Sequence, residues 1–286
     1  YGMTRYGIWK SKDKTAIWGL NGPVEQFKSD EWVRRIPLYT QGGLPRYRWG
    51  LGMNFNQDSK DRFFTELKGF LKDNPKYLDV LTEEMDRYQN YDIFFKYTSK
   101  LGDLSRIFKE HLLKDVRTTW NNIRMLWYLK NIHEYIKPVW EFDNIIDFGA
   151  GTGHFIKYCY QLGFSGSVQI VDLPETIVIQ KYVLRGLNIK WVDTKDLLTY
   201  LPNTLFNSTW GISETPLELR DKLPDISPCA KFIAFQNDWH GIDNKKDILD
   251  RFYDESDSIP FLKDVSNIIP WNDGSVILMH KDKIND

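Results

Sequence analysis

The sequence of 286 residues is poor in cysteine, in excess charge and in long apolar runs, and each shortage excludes a class of protein. Its two cysteines, Cys159 and Cys229, exclude a disulfide framework and a thiolate metal cluster. The 38 basic and 39 acidic residues leave a formal charge of −1, so no excess positive charge is available for nucleic-acid phosphates. No apolar run approaches the roughly 18–20 residues that a membrane span needs. A hydrophobic fraction of 42% predicts a globular protein of one large domain, or a domain plus an extension.

The first 140 residues combine aromatic side chains with helical periodicity, and we expect them to form an N-terminal extension. Up to about residue 60, turn signals such as Gly22-Pro23 indicate irregular structure with short extended pieces. Apolar residues then recur at helical spacing, which predicts helices over 63–71, 78–88, 107–113 and 123–132, the last stopped by Pro138. The aromatic part could cap a substrate site or bury apolar area against the rest of the protein. The residues concerned are Trp9, Trp18, Arg46, Tyr47, Arg48 and Trp49.

From residue 141 to 286, short apolar runs alternate with helical segments, which is typical of an α/β fold with a parallel sheet. Strands are predicted near 144–149, 168–172, 188–193, 204–211 and 230–236. Helices are predicted at about 154–162, 174–186, 195–201, 215–223 and 245–255. The final stretch departs from this alternation, because strands at 265–269 and 275–280 flank a turn at 270–274. This predicts a terminal β-hairpin and seven strands in all.

The most informative segment joins the first of these strands to the helix that follows it. The strand ends near Asp147, and Gly149, Gly151 and Gly153 then alternate before the helix begins. Glycines let a backbone turn sharply and approach a ligand where a Cβ would collide. The next strand ends at Asp172, where a carboxylate is placed to accept hydrogen bonds from ribose hydroxyls. The pattern therefore predicts a site for a nucleoside-containing cofactor.

Two cofactor classes use this geometry. A dinucleotide fingerprint requires G-x-G-x-x-G, but here the third glycine, Gly153, comes one residue early and His154 takes the sixth position. The pattern resembles the first motif of class I S-adenosylmethionine-dependent methyltransferases, over residues 141–282. The resemblance implies a Rossmann-like, mostly parallel sheet of seven strands with a terminal antiparallel hairpin, and S-adenosyl-L-methionine as the cofactor. An NAD-dependent sugar oxidoreductase or epimerase is the alternative.

By this resemblance, the glycine loop holds the methionine portion of the cofactor and the following strand ends hold the adenosine. The residues concerned are Asp147, Gly149, Ala150, Gly151, Gly153, His154, Asp172, Leu173 and Asp193. Asp172 would hold the ribose with Leu173 packing nearby, and Asp193 would face the adenine amine or, alternatively, cap a helix. His154 would lie near the cofactor carboxylate or cap the start of its helix.

The segments after the fourth and fifth strands indicate which molecule accepts the methyl group. Residues 207–216 lack the Asn/Asp-Pro-Pro-aromatic tetrapeptide that many amino-methylating enzymes of this fold carry. Together with residues 171–175 and 235–244, this segment resembles the sugar O-methyltransferase family, in which a Ser/Asn-rich fourth strand leads to a glutamate, here Glu214. The resemblance implies a saccharide or glycan acceptor, and the lack of excess positive charge predicts no nucleic-acid partner. Some relatives are fused to glycosyltransferases, so the chain could be part of a larger glycosyltransferase polypeptide, which a first residue of Tyr1 would suit.

A sugar hydroxyl is weakly acidic, so methyl transfer to it calls for a general base. His240, just after the fifth strand, is the predicted base, with Asp238 as the second candidate and Glu214 as a residue that orients the imidazole or binds a hydroxyl. A structural hydrogen-bonding role is the alternative for His240. No metal is predicted, although Asp238, Asp243 and Asn244 could bind Mg²⁺ in a metal-assisted route.

Two further expectations complete the prediction. A methyltransferase-like module that binds a glycan without catalysis is the third hypothesis, from outside the enzyme class. Nothing after Tyr1 resembles a signal peptide, and with so few cysteines this favours a cytoplasmic protein.

Overall fold

The structure is a computed structural model, and it describes residues 2–3, 9–10, 57–77, 120–151, 153–239, 241–253, 261–264 and 274–279. The chain divides into two compact units. One comprises residues 1–28, 132–265 and 273–286, and the other comprises residues 29–131 and 266–272. The predicted boundary at residue 140 stays a prediction. Among the described helices, none combines the length and the apolar character that a bilayer crossing requires.

Five parallel strands form the centre of the first unit, in the spatial order β3-β2-β1-β4-β5. They are β1 (Asn144–Phe148), β2 (Ser167–Val171), β3 (Ile189–Trp191), β4 (Thr204–Thr209) and β5 (Ala230–Gln236). Their apolar runs are continuous because both faces of the sheet are covered, and Ile146 and Phe206 have no exposed surface. The predicted parallel α/β sheet is confirmed. The fourth strand ends two residues before its predicted end, because Trp210 has a φ of +73°, which strand geometry does not allow.

Two further strands extend the sheet in the antiparallel sense. They are β6 (Phe261–Asp264) and β7 (Gly274–Met279), where β7 pairs with both β6 and β5. The sixth strand was expected at 265–269, whereas the described strand precedes that segment. Residues 265–273 lie outside the described residues, so the predicted turn at 270–274 and the hairpin stay predictions.

The described helices are α1 (Gln57–Asp73), α2 (Trp120–Tyr135), α3 (His154–Gln161), α4 (Pro174–Val183), α5 (Leu217–Arg220) and α6 (Asn244–Phe252). Pro174 begins α4, at the position where a missing N–H carries no penalty. Asp243 caps α6 by accepting the Lys246 N–H at 3.0 Å. In the second unit, α1 buries Leu67, Phe70 and Leu71, as its periodicity predicts. The helices predicted over 78–88 and 107–113 lie outside the described residues.

The helix predicted at 195–201 is wrong, since only a 3₁₀ turn, Thr194–Asp196, forms there. Gln169 on β2 explains the difference. Its side-chain amide donates to the Leu198 carbonyl and accepts the Leu198 N–H, each at 3.0 Å. Both backbone groups of Leu198 are therefore occupied by a buried side chain, and the segment runs extended from Leu197.

The core of the first unit lies on both faces of the sheet, and α6 contributes Ile248 and Phe252 to it. All five parallel strands end at the same edge, where the loops 149–153, 172–173, 192–197, 210–216 and 237–243 follow them. Ligands of open α/β sheets bind outside this carboxyl edge. The fold thus brings the predicted glycine loop, Asp172 and Glu214 to one edge of the sheet.

Candidate cofactor and acceptor site

The glycine loop between β1 and α3 is a left-handed turn at three positions. Gly149, Gly151 and Gly153 have φ values of +74°, +58° and +82°, a region that residues with a side chain rarely adopt. A Cβ on Gly149 would lie 2.5 Å from Cα of Gly211, in the loop after β4. The first glycine is therefore required because two backbone segments pack directly against each other.

The second and third glycines differ in their surroundings. A Cβ on Gly153 would lie 2.9 Å from Cδ1 of Leu184, whereas a Cβ on Gly151 would meet no described atom within 4 Å. Gly151 is thus the position where the loop presents bare backbone to free space. An added side chain would fill that space, so the loop can accept a ligand there at close range.

The N–H groups of all three glycines have partners within the chain. Gly149 donates to the Val171 carbonyl at 2.8 Å, and Gly153 donates to the Ala150 carbonyl at 2.9 Å. Gly151 donates to Oδ2 of Asp172 at 3.0 Å. The loop is thereby fixed before any ligand arrives, and these three donors are not available to one.

Asp172 is the hydrogen-bonding centre of the loop. Its Oδ1 accepts the Leu173 N–H at 2.7 Å, and its Oδ2 accepts both the Gly151 N–H and the Nε2 amide of Gln180, the latter at 2.6 Å. Burial raises the pKa of Asp172 to about 6, and the hydrogen bonds from Leu173, Gln180, Gly151 and Thr176 oppose this rise. At neutral pH the group is therefore a carboxylate, able to accept further hydrogen bonds.

Asp147 lies behind the loop rather than on its surface. Its side chain has no exposed area, and its Oδ1 accepts the Asn207 amide from the neighbouring strand β4 at 2.7 Å. Burial raises the pKa of Asp147 to about 7, the Asn207 bond lowers it, and the charge of Asp172 raises it. Among the described residues, Oδ2 of Asp147 and Oδ1 of Asn207 have no hydrogen-bond partner. Asp147 thus joins β1 to β4 directly before the glycine loop.

The remaining predicted cofactor residues surround the same edge. Ala150 and Leu173 are half-buried, and His154 is only 3% exposed, with its ring centroid 6.3 Å from that of Tyr158. Gly153, not His154, is the N-cap of α3, so the capping alternative for His154 is wrong. Asp193 is exposed and lines an open cleft with Trp191, Val192 and Leu197.

The loop after β4 is held in a strained conformation beside the glycine loop. Trp210 has a φ of +73°, which for a bulky residue costs about 1–3 kcal/mol and persists only where surrounding contacts impose it. Its N–H donates to the Ala234 carbonyl of β5 at 2.7 Å. The Ser208 hydroxyl donates to the Phe148 carbonyl and accepts the Ile212 N–H, at 2.9 and 3.1 Å. These bonds join the loop to both neighbouring strands.

A buried arginine holds the far end of this loop. The Arg220 guanidinium, 2% exposed, donates to the carbonyls of Ser213 and Thr215 at 3.1 and 2.8 Å. It also donates to Oδ1 of Asn244 at 2.7 Å and forms an ion pair with Asp247 at 2.6 Å. Glu214 lies between the two anchored carbonyls, so its backbone position is fixed from both sides.

The structure describes two of the three predicted catalytic residues. Glu214 is half-buried, and its N–H donates to the Trp210 carbonyl at 3.1 Å. Asp238 is exposed, in a short antiparallel ladder that pairs Asp238–Trp239 with Ile242–Asp243. His240, the predicted base, lies outside the described residues. Its role and those of Asp238 and Glu214 stay predictions.

Two of the three ligands that a metal-assisted route would use make other hydrogen bonds. Asp243 caps α6, while Asn244 accepts from Arg220 and donates to the Ser213 carbonyl at 3.2 Å. Across the described part of the chain, no group of three or more His, Cys, Asp or Glu side chains could hold a metal ion.

Three residues of this edge escaped the sequence analysis: Asn207, Gln180 and Arg220. Each is a polar side chain with at most 2% exposed surface. For Asn207 and Gln180 the available signal was a polar residue directly after an apolar run, as in Leu205-Phe206-Asn207 and Ile177-Val178-Ile179-Gln180, whereas the sequence around Arg220 carried no such signal. A buried polar group needs a partner, but the sequence does not tell which.

Comparison with known proteins finds likeness in fold alone. No family model and no curated protein matches the chain. Among solved structures, it is similar to an rRNA methylase from Streptococcus thermophilus, with 16% identity over 50% of this chain and 89% of that one, at a TM-score of 0.36. It is also similar to a SAM-dependent methyltransferase from Aquifex aeolicus, with 14% identity over 64% of this chain and 98% of that one, at a TM-score of 0.38. A methyltransferase from Podospora anserina with bound SAH is similar with 13% identity over 80% of this chain and 98% of that one, at a TM-score of 0.37.

Proposed function

We propose that the chain is an S-adenosyl-L-methionine-dependent methyltransferase. The observation that carries the proposal is the preformed unit of Gly151 and Asp172: bare backbone facing free space, bonded at 3.0 Å to a carboxylate at the end of the next strand. S-adenosylmethionine fits this unit. Asp172 would accept the ribose hydroxyls, the loop 149–153 would adjoin the methionine portion, and the cleft at Trp191–Asp193 would take the adenine.

The hydrogen bonds of the loop favour this cofactor over a nicotinamide dinucleotide. A pyrophosphate is bound by free backbone N–H groups at such a loop. Here the N–H groups of Gly149, Gly151 and Gly153 are all donated within the chain. The third glycine also comes one residue earlier than a dinucleotide fingerprint requires. Both features favour the methyl donor.

We further propose that the acceptor is a sugar hydroxyl of a glycan, methylated on oxygen. The bound cofactor supplies an electrophilic methyl group, and the chain must align the acceptor oxygen with it and receive the hydroxyl proton. The loop that carries Glu214 and the segment 238–243 follow β4 and β5, at the same edge as the ends of β1, β2 and β3. Glu214 would bind a neighbouring hydroxyl, and the imidazole of His240 or the carboxylate of Asp238 would take the proton.

Four other elements of the proposal rest on the sequence. Segment 265–273 would close β6 and β7 as a hairpin. The first 140 residues would form a region that covers the acceptor, and the chain would act in the cytoplasm, as part of a larger glycosyltransferase polypeptide.

Calorimetric titration with S-adenosylhomocysteine, run in parallel with NADH, tests the cofactor. We expect saturable binding of the first ligand and none of the second. Saturable NADH binding alone would move the chain to the oxidoreductase class. Binding of neither ligand would contradict both enzyme hypotheses.

Transfer of labelled methyl groups to a panel of glycans, small phenols and RNA tests the acceptor. We expect incorporation into glycan, greatly slowed by His240→Gln with unchanged affinity for S-adenosylhomocysteine. Asp225→Asn is a suitable control, because Asp225 is an exposed carboxylate that bonds Ser227 before β5. Incorporation into RNA or phenols alone would refute the glycan proposal. Binding of donor and glycan without transfer would favour the non-catalytic module.

A further inference from the structure

One buried glutamine joins the ends of three strands at the cofactor site. Gln180 lies on α4 with no exposed surface. Its Nε2 donates to the Gly151 carbonyl at 2.8 Å and to Oδ2 of Asp172 at 2.6 Å, while its Oε1 accepts the Trp191 Nε1–H at 3.1 Å. The loop after β1, the end of β2 and the end of β3 are thus bonded to one side chain.

These partners allow only one orientation of the amide. In the reverse orientation, Oε1 would face the Gly151 carbonyl and the Asp172 carboxylate, which are both acceptors. The amide nitrogen would then face the Trp191 N–H, which can only donate. Trp191 therefore directs the amide N–H groups of Gln180 toward Asp172.

We propose that Gln180 is a positioning residue of the cofactor site, which keeps Asp172 ionised and leaves Oδ1 as the oxygen that receives the ribose. The proposal rests on the proposed function, in which Asp172 binds the ribose of S-adenosylmethionine. A carboxylate oxygen accepts about two hydrogen bonds. Oδ2 already accepts from Gly151 and Gln180, whereas Oδ1 accepts from Leu173, and the Thr176 hydroxyl adds a further bond to the carboxylate. Because Oδ2 is filled, a ribose hydroxyl would bind Oδ1, beside or in place of the Thr176 hydroxyl.

The charge state of Asp172 depends on this amide, because a hydrogen bond to the ionised form lowers a pKa. Burial pushes the pKa of Asp172 upward, and Gln180 is among the donors that oppose it. Of the ionisable groups on the surrounding elements, Asp147 on β1 interacts with the charge of Asp172. Other ionisable groups on these elements include His154 and Lys157 on α3, Lys181 on α4, Lys190 on β3 and Asp193 after β3; Nζ of Lys181 lies 5.5 Å from the Trp191 ring.

The substitution Gln180→Met tests the proposal, since methionine has a similar volume and no N–H. We expect the pKa of Asp172, followed by ¹³C NMR of aspartate-labelled protein with Asp172→Asn for assignment, to rise by about one unit. Gln169→Met is the matched control, because Gln169 is an equally buried glutamine of the same sheet whose amide bonds Leu198 instead. It should leave the pKa of Asp172 unchanged.

Affinity for S-adenosylhomocysteine provides the second readout. In the wild type it should decline as the pH falls through about 6, the pKa of Asp172. In Gln180→Met the decline should begin about one pH unit higher, and in Gln169→Met it should not move. If Gln180→Met does not fold, Trp191→Phe should shift both readouts in the same direction by less, because it removes the N–H that orients the amide.

The outcomes separate this inference from the proposed function. An Asp172 pKa that responds equally to the two glutamine substitutions would overturn the positioning role of Gln180, whatever binds. A raised pKa with an unmoved binding profile would overturn the part that concerns the ribose. A wild type that binds no S-adenosylhomocysteine would refute the proposed function and the ribose assignment, while the NMR titration would still decide whether Gln180 keeps Asp172 ionised.

Discussion

The two halves of the sheet's carboxyl edge, the proposed cofactor half and the proposed acceptor half, differ in the bonds that prevail in each, although the Gln180 side chain also holds the first and the Trp210 N–H also holds the second. In the half formed by β1, β2 and β3, backbone N–H groups of the glycine loop are bonded to Asp172 and to neighbouring carbonyls. In the half formed by β4 and β5, the side chains of Arg220 and Asn244 hold backbone carbonyls of the loop. The first kind requires glycines at fixed spacing and is visible in a sequence, whereas the second requires only a buried polar residue.

The largest expected loss of stability tests whether the backbone of the glycine loop packs directly against the backbone of the loop after β4. Gly149→Ala places a Cβ 2.5 Å from Cα of Gly211 and at a φ of +74°, and neither backbone can move aside without breaking its bonds. We expect a loss of about 3 kcal/mol or more in the free energy of unfolding, measured with urea. Gly186→Ala has a similar φ of +82° with no described atom within 4 Å, so it should lose only about 1–2 kcal/mol. Equal losses would show that the loops do not pack as described.

A smaller effect is expected from the side-chain anchor of the acceptor half. Arg220→Gln should lower the free energy of unfolding by about 2 kcal/mol, because it leaves Oδ2 of Asp247 and the Thr215 carbonyl without their donor. The Ser213 carbonyl keeps its bond from Asn244. Arg251 pairs with the same Asp247 but is more exposed, so Arg251→Gln should lose less than about 1 kcal/mol. Urea titration of both variants measures the difference.

The same variant measures how independent the halves are. If folded Arg220→Gln retains its affinity for S-adenosylhomocysteine but loses methyl transfer, the two halves act separately. Loss of cofactor affinity in a folded variant would contradict that separation.

A further effect, comparable in size to the first, depends on pH and concerns Asp147, whose carboxylate joins β1 to β4. Because burial raises its pKa from 3.8 to about 7, the folded protein holds this proton at pH values where the unfolded chain has released it. Stability should therefore fall as the pH rises from about 4 to 7, by about 1.4 kcal/mol for each unit of difference in pKa. In Asp147→Asn this fall should be weaker, and the new amide can donate to Oδ1 of Asn207. Urea titrations at pH 5 and pH 8 measure this change in the free energy of unfolding. An equal change in the wild type and in Asp147→Asn would exclude a buried ionisable Asp147.

The conformation of the loop after β1 followed from the sequence more closely than that of the loop after β4, for a physical reason. Positive φ values restrict residue type, so Gly149, Gly151 and Gly153 stand out, and continuous apolar runs identify the buried parallel strands. Side-chain hydrogen bonds restrict the residue type much less than positive φ values do. Nothing in the neighbouring sequence distinguishes Arg220 from an exposed arginine. The helix predicted at 195–201 does not form because Gln169, 29 residues before Leu198, binds the Leu198 backbone. The φ of +73° at Trp210 was also unpredictable, because neighbouring strands impose it.

The central claim is that the bare backbone at Gly151 receives S-adenosylmethionine. Calorimetric titration of S-adenosylhomocysteine into the wild type, Gly151→Asn and Gly186→Asn tests it most directly, because asparagine tolerates a positive φ and both positions have room for a Cβ. We expect the wild type and Gly186→Asn to bind one equivalent equally, and Gly151→Asn to bind at least about tenfold more weakly, a loss of about 1.4 kcal/mol. Equal binding by all three proteins, or no binding by the wild type, would contradict the claim.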